Sequence, residues 1–209
     1  MNIEGPNRPG PFCFYFPAML EWLERDLNIP DNGSKQRRNP TMNKQQTVLR
    51  SMGFAYDAMQ GLLKASPKIL GEMRRHGMTS AKGIEFAVIP PHLIPDEVNQ
   101  FRMQARKIGI ELEYELIRLV GTIPPHIHRR SGGAVAKCRS SNLETEVLLD
   151  KFNTYPDVDW QKVGLGDIFF TPAGMVHGLR FSDGGRPKGP AYLLAVNTPP
   201  IEADDVVYV

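Results

Sequence analysis

The sequence predicts a mainly β protein: an antiparallel β-barrel or jelly roll over residues 83–209, preceded by an α-helical extension over residues 1–82. Three observations carry this. Before about residue 110, apolar residues recur at helix-like intervals. After it, short alternating segments are separated by Gly, Pro, Asn and Asp. The length of 209 residues, with 41% hydrophobic and 23% charged residues, suits one buried core with a helical extension laid on it.

In chain order, "PAMLEWLERDLNI" spaces Met19, Leu20, Trp22, Leu23 and Leu27 as a helix does, and Pro30 ends it. "DNGSKQRRNP" reads as a polar loop, with Asn32–Gly33 as turn chemistry. From about Asn43 to Gly77 the pattern predicts two or three amphipathic helices, with a boundary at Ser66–Pro67, where serine caps and proline fits the first helical position. "GIEFAVIPP" predicts a strand. "PDEVNQFRMQARKIG" predicts a short helix with acids first, cations late and Gly109 at its end. Next, "ELEYELIRLV" alternates, with Leu112, Tyr114, Leu116, Arg118 and Val120 on one face and mainly acids on the other. "GGAVAKC", "TEVLLDKF", "GDIFFTP", "GMVHGLRF", "AYLLAVN" and "DDVVYV" supply further short strands, as in a sandwich or barrel.

Composition narrows the classes of function. A net charge of +2 gives no electrostatic case for a nucleic-acid or membrane partner. The two cysteines, Cys13 and Cys138, form no disulfide framework and no cysteine zinc site, which favours a reducing compartment. The first residues lack the basic-then-apolar pattern of a signal peptide, and no stretch approaches the ~18 apolar residues of a membrane span. A soluble, cytoplasmic protein is expected.

Chemistry concentrates in two segments. "PPHIHRRSGG" places His126 and His128 two residues apart, so that on a strand both imidazoles share a face. "GDIFFTPAGMVHGLRF" carries Gly166, Pro172, Gly174 and His177 as glycine, five residues, proline, any residue, glycine, two residues, histidine. This second segment resembles the second motif of the cupin superfamily, and the His126–His128 pair resembles the histidine pair of the first. Three departures mark the match: Gly121 is one residue nearer the histidines than the motif has it, Phe181 stands where the family has asparagine, and the glutamate expected after the second histidine is absent. The resemblance covers roughly the last hundred residues. It implies a barrel that brings His126, His128 and His177 together as a three-nitrogen site for a divalent metal. The bland alternatives are a cupin without metal, its histidines satisfied as polar residues, and an unrelated β domain with chance histidines.

Three neutral imidazoles leave a divalent ion its full charge and open positions. They suit iron, zinc, copper and nickel, with manganese also possible. The resemblance adds that cupins with three histidines and no glutamate include iron(II) dioxygenases of thiols, diketones and gentisate-type acids. The expected function is therefore an iron(II) dioxygenase acting with O2 on a small, metal-chelating substrate. The alternatives are a redox-silent isomerase or lyase and a small-molecule sensor. Glu144 or Glu146, between the motifs, could add a carboxylate. If strand parity carries through Pro124–Pro125, Tyr114 and Arg118 project toward the same cavity. Arg118 would then hold a substrate anion and Tyr114 donate a hydrogen bond; a salt bridge to an internal acid, or an arginine reaching out at the barrel mouth, explains Arg118 equally. Arg129 and Arg180 alternate with the histidines and should point away.

Cys138 reads as a small core residue, and His76 and His92 as surface residues. Helices fused to such barrels also occur in transcriptional regulators, but residues 45–77 show no convincing helix-turn-helix, despite the basic clusters Lys35–Arg38 and Arg74–Arg75. Met52, Phe54, Tyr56 and Met59 look like packing, on the barrel or across a homodimer.

Overall fold

The computed structural model describes residues 44–73, 77–150, 154–182 and 188–209, with side chains from Thr47 onward. The expected helix at Met19–Leu27, the Asn32–Gly33 turn, Cys13, the Lys35–Arg38 run, Arg74–Arg75 and His76 lie outside the described residues.

Among the described residues two α-helices and eleven strands follow one another: α1 (Lys44–Met73), β1 (Thr79–Ala81), β2 (Ile84–Val88), α2 (Asp96–Lys107), β3 (Glu113–Leu119), β4 (Ile123–His128), β5 (Gly132–Arg139), β6 (Thr145–Leu149), β7 (Trp160–Val163), β8 (Ile168–Thr171), β9 (His177–Phe181), β10 (Ala191–Thr198) and β11 (Val206–Tyr208). They form two antiparallel sheets. The first runs β1-β2-β3-β10-β5-β8 and the second β11-β4-β9-β6-β7. The expected barrel is thus two facing sheets, a jelly-roll sandwich without closure. β1 and β7 had no clear signal in the sequence, because each is short and half polar.

Two cores explain why the sheets hold. One lies between the helices and the outer face of the first sheet, where Met52, Met59, Leu62 and Ile69 of α1 pack with Leu112, Tyr114, Leu116, Ala136 and Val196. The other fills the space between the sheets with Leu119, Ile123, Val147, Phe169, Leu179, Phe181 and Leu193. Each Val, Leu, Ile, Phe or Met among them contributes roughly 1.5–3 kcal/mol when fully buried. The first sheet is therefore covered on both faces, and every residue of its strand β10 is buried. That accounts for the unbroken apolar run "AYLLAV".

Residues 44–73 form one helix, not two or three, and Pro67 lies inside it. Proline removes one helical hydrogen bond. Buried residues on both sides of it (Met59 and Leu62 before, Ile69, Leu70 and Met73 after) belong to the same core, so packing keeps the helix continuous. α2 matches its expectation, with Asp96 and Glu97 in the first turn and Arg106 and Lys107 in the last. The β1–β2 hairpin turns at Gly83, whose φ of 80° and close approach to the Thr122 carbonyl leave no room for a Cβ. The Gly83 carbonyl in turn accepts the N–H groups of Val120 and Gly121, each at 3.0 Å, tying that hairpin to the exit of β3. Among the described residues no helix is long and apolar enough to cross a membrane.

Candidate metal centre

The three histidines converge. His126 and His128 point from β4 into the space between the sheets, as their spacing of two requires. β9 pairs beside β4 and sets His177 directly opposite His126 in register. Ring centroids are 4.3 Å apart for His126 and His177, 5.1 Å for His128 and His177, and 5.1 Å for His126 and His128. One nitrogen from each ring lies within 4.8 Å of the others. Among the described residues this is the one cluster of three or more metal-capable side chains.

Backbone carbonyls decide which nitrogens face the centre. His126 Nδ1 lies 2.9 Å from the Pro124 carbonyl, and His177 Nδ1 lies 2.9 Å from the Met175 carbonyl. A carbonyl can only accept, so each Nδ1 carries the hydrogen and each Nε2 keeps a lone pair for a metal. His128 Nδ1 is buried and faces the Asp205 carboxylate at 3.4 Å, too long for a well-formed hydrogen bond. Asp205, fully buried, accepts the backbone N–H groups of Arg130 at 2.7 Å and Ser131 at 3.2 Å. Burial works to raise its pKa; these donors and His128 outweigh that and hold the carboxylate below its usual range. The pattern is that of a carboxylate orienting a ligand imidazole from behind.

Burial lowers the pKa of all three histidines, that of His128 to about 4, and the neighbouring rings add to the effect at His128 and His177. They are neutral imidazoles at neutral pH, the form that binds a cation. The donor set and its tautomers therefore fit a divalent metal.

The histidines line a cavity of about 430 Å³, walled on the opposite sheet by Glu115, Ile117, Val135, Phe169, Thr171 and Asn197. Its exposed liners Lys82, Glu202 and Tyr208 mark the opening. Tyr114 and Arg118 do not reach it. Tyr114 faces the helices, fully buried, and its hydroxyl donates to the Val98 carbonyl at 3.3 Å. Arg118 is ion-paired with Glu85 on the neighbouring strand. The expected parity fails because β3 and β4 belong to different sheets, so the chain changes sheet between Leu119 and Ile123. The apolar face of β3 serves the helices; the face carrying Glu115 and Ile117 serves the cavity.

Glu144 and Glu146 also stay away, held by Lys162 at 2.6 Å and Arg180 at 2.8 Å. Arg180 stacks over Trp160, and Arg129 is exposed, so both point away from the centre as expected. His92 is exposed in a short helical turn, and half-buried Cys138, its thiol pushed up to about 12 by burial, packs against the helix-side core. Sequence reasoning missed Glu115, Asn197 and Asp205. Glu115 had a signal, as an acid in the register alternating with the apolar set. Asp205 had none beyond its place in "DDVVYV".

No protein-family model and no curated protein sequence matches the chain. Solved structures similar to it are cupin proteins. KdgF from Halomonas sp. is 16% identical with a TM-score of 0.40, over 62% of this chain and 91% of its own. An RmlC-like cupin from Shewanella frigidimarina is 17% identical with a TM-score of 0.39, over 62% of this chain and 88% of its own. A single-substitution variant of the oxalate decarboxylase of B. subtilis is 15% identical with a TM-score of 0.42, over 66% of this chain and only 31% of the decarboxylase. On the geometry of the chain itself, two facing antiparallel sheets hold a His-x-His strand beside a third histidine, and this three-histidine cluster fits a cupin metal site.

Proposed function

We propose that the protein is a metal-dependent enzyme that holds one divalent ion on His126, His128 and His177 and acts on a small molecule able to chelate it. The observation that carries this is the convergence of three neutral imidazoles with no carboxylate among them. Such an ion supplies a Lewis acid and, as iron(II), an electron route to dioxygen. The chain's own residues do the rest. Pro124 and Met175 carbonyls orient two imidazoles, Asp205 backs the third, and Ile117, Val135 and Phe169 keep the cavity wall apolar. We take iron(II) dioxygenase as the first reading, because uncharged ligands keep the ion electrophilic and leave positions for both substrate and O2.

The test is metal analysis of wild type against His177→Ala, followed by anaerobic loading with ferrous iron and a screen of thiols, diketones and dihydroxy-aromatic acids. Uptake of about one ion per chain, lost in the variant, and oxygen consumption with one of these substrates are expected. Equal metal content in both proteins refutes the site. A redox-silent isomerase or lyase is the second reading, favoured by a carboxylic acid, Glu115, on the cavity wall. Substrate conversion without oxygen uptake decides for it.

A further inference from the structure

Glu115 stands out among the cavity residues. It lies in the middle of β3, with Ala195 of β10 as its register partner, and its side chain enters the space shared with the three histidines of the other sheet. It is only 6% exposed. Its side-chain hydrogen bond comes from Asn197, whose Nδ2 donates to Oε2 at 2.7 Å, and Asn197 is itself buried. Among the described residues no lysine or arginine forms an ion pair with it. The cavity wall around it is otherwise mostly apolar, with Ile117, Val135, Phe169 and Ala195.

A carboxylate buried with one neutral donor is costly relative to an apolar residue of the same shape. The fold gains nothing from that cost, since Ile117 and Leu119 on the same face show what packing alone selects. Nor is Glu115 a fourth ligand, because its carboxylate is not a member of the histidine cluster. It lines the same cavity as the three histidines, from the opposite sheet. Charged and titratable groups around that space are Glu113 on its own strand, the three histidines opposite, and Lys82, Glu202 and Tyr208 at the opening. Arg102 lies beyond the other face of the strand, over the Tyr114 ring.

We propose that Glu115, oriented by Asn197, is the proton acceptor of this site and that its substrate is a protic chelator, a small molecule whose hydroxyl or thiol loses its proton on binding. This rests on the metal reading above. The donor X–H bond breaks, its electron pair stays on X, and the proton forms an O–H bond on Glu115 Oε1, while Oε2 keeps the Asn197 hydrogen bond. No oxidation state changes. Burial, with the Glu113 charge adding to it, raises the pKa of Glu115 against the lowering effect of Asn197, which suits the carboxylate to take and keep a proton.

The test uses zinc-loaded protein and acetohydroxamic acid as the protic chelating probe, with calorimetry in two buffers of different ionisation enthalpy to count released protons. Wild type is expected to retain the proton, whereas Glu115→Gln releases about one proton more per bound probe. Equal release from the two proteins overturns the role of Glu115. Failure of zinc to bind overturns the metal reading instead, so the two failures are distinguishable. An infrared titration of the metal-free protein supplies a readout independent of the ion. A protonated-carboxyl band that persists above the ordinary glutamate range, and is missing in Glu115→Gln, supports the proposal; a band that titrates in the ordinary range overturns it.

Discussion

His128 differs from its two partners in what stands behind it. His126 and His177 lean on backbone carbonyls, which no side-chain substitution removes, while His128 leans on the carboxylate of Asp205. Asp205→Asn removes the charge and keeps an oxygen for only one of the Arg130 and Ser131 N–H groups, which donate to different carboxylate oxygens. Zinc affinity, measured by competition with a chelating dye, should fall roughly 10–100-fold with the fold intact; unchanged affinity would remove Asp205 from the site. The histidines also make the metal-free protein sensitive to acid. Their folded pKa values are lowered by burial, so below the ordinary value the unfolded chain binds more protons than the folded one. The histidine contribution to stability is full above about pH 6.5 and declines toward the folded pKa of His128 at about 4. His128 alone accounts for at most about 3 kcal/mol of that decline. Urea unfolding of metal-free wild type and His128→Gln across this range should show a flatter pH dependence in the variant. The three clustered histidines were legible in the sequence because spacing and motif order survive without coordinates. Asp205 was not, since nothing local ties residue 205 to residue 128.

β3 shows why a correct element can carry a wrong site. Its alternation was legible, and Leu112, Tyr114 and Leu116 are buried as expected, but Val120, expected on the same face, lies past the end of the strand and is exposed. A two-faced burial pattern does not say which buried face meets the helices and which meets the opposite sheet. Here the more apolar face went to α1 and α2, so Tyr114 and Arg118 were turned from the cavity and Glu115 toward it. α1 failed differently: Ser66–Pro67 is a sound local boundary, overridden by a core that spans it. The crossing of α1 and α2 gives an element-level prediction. A Cβ at Gly61 would overlap Cγ2 of Val98, a fully buried, stiff side chain. Gly61→Ala should therefore destabilise by roughly 1–3 kcal/mol, overcoming the ~1 kcal/mol that alanine gains in helix propensity. Chemical denaturation reads this directly, and a variant more stable than wild type would contradict the close approach.

At the scale of the whole molecule, the two sheets are unequally supported. The first is packed on both faces, with β10 at its centre, while the second meets the core on one. Amide hydrogen exchange should be slowest in β10, and zinc should slow exchange in β4, β9 and β11 far more than in β10. Protection spread evenly over both sheets would argue against an ion held by β4 and β9. The division into strands was readable from turn residues, whereas the unequal support depends on contacts between α1 and β10, far apart in sequence. The direct pairing of His126 with His177 across two strands has a practical consequence. A one-residue slip of β4 against β9 would keep the strand content and the circular dichroism, yet turn both imidazoles of β4, His126 and His128, outward. Bound metal per chain would thus count the fraction of molecules in a preparation whose strands are correctly aligned.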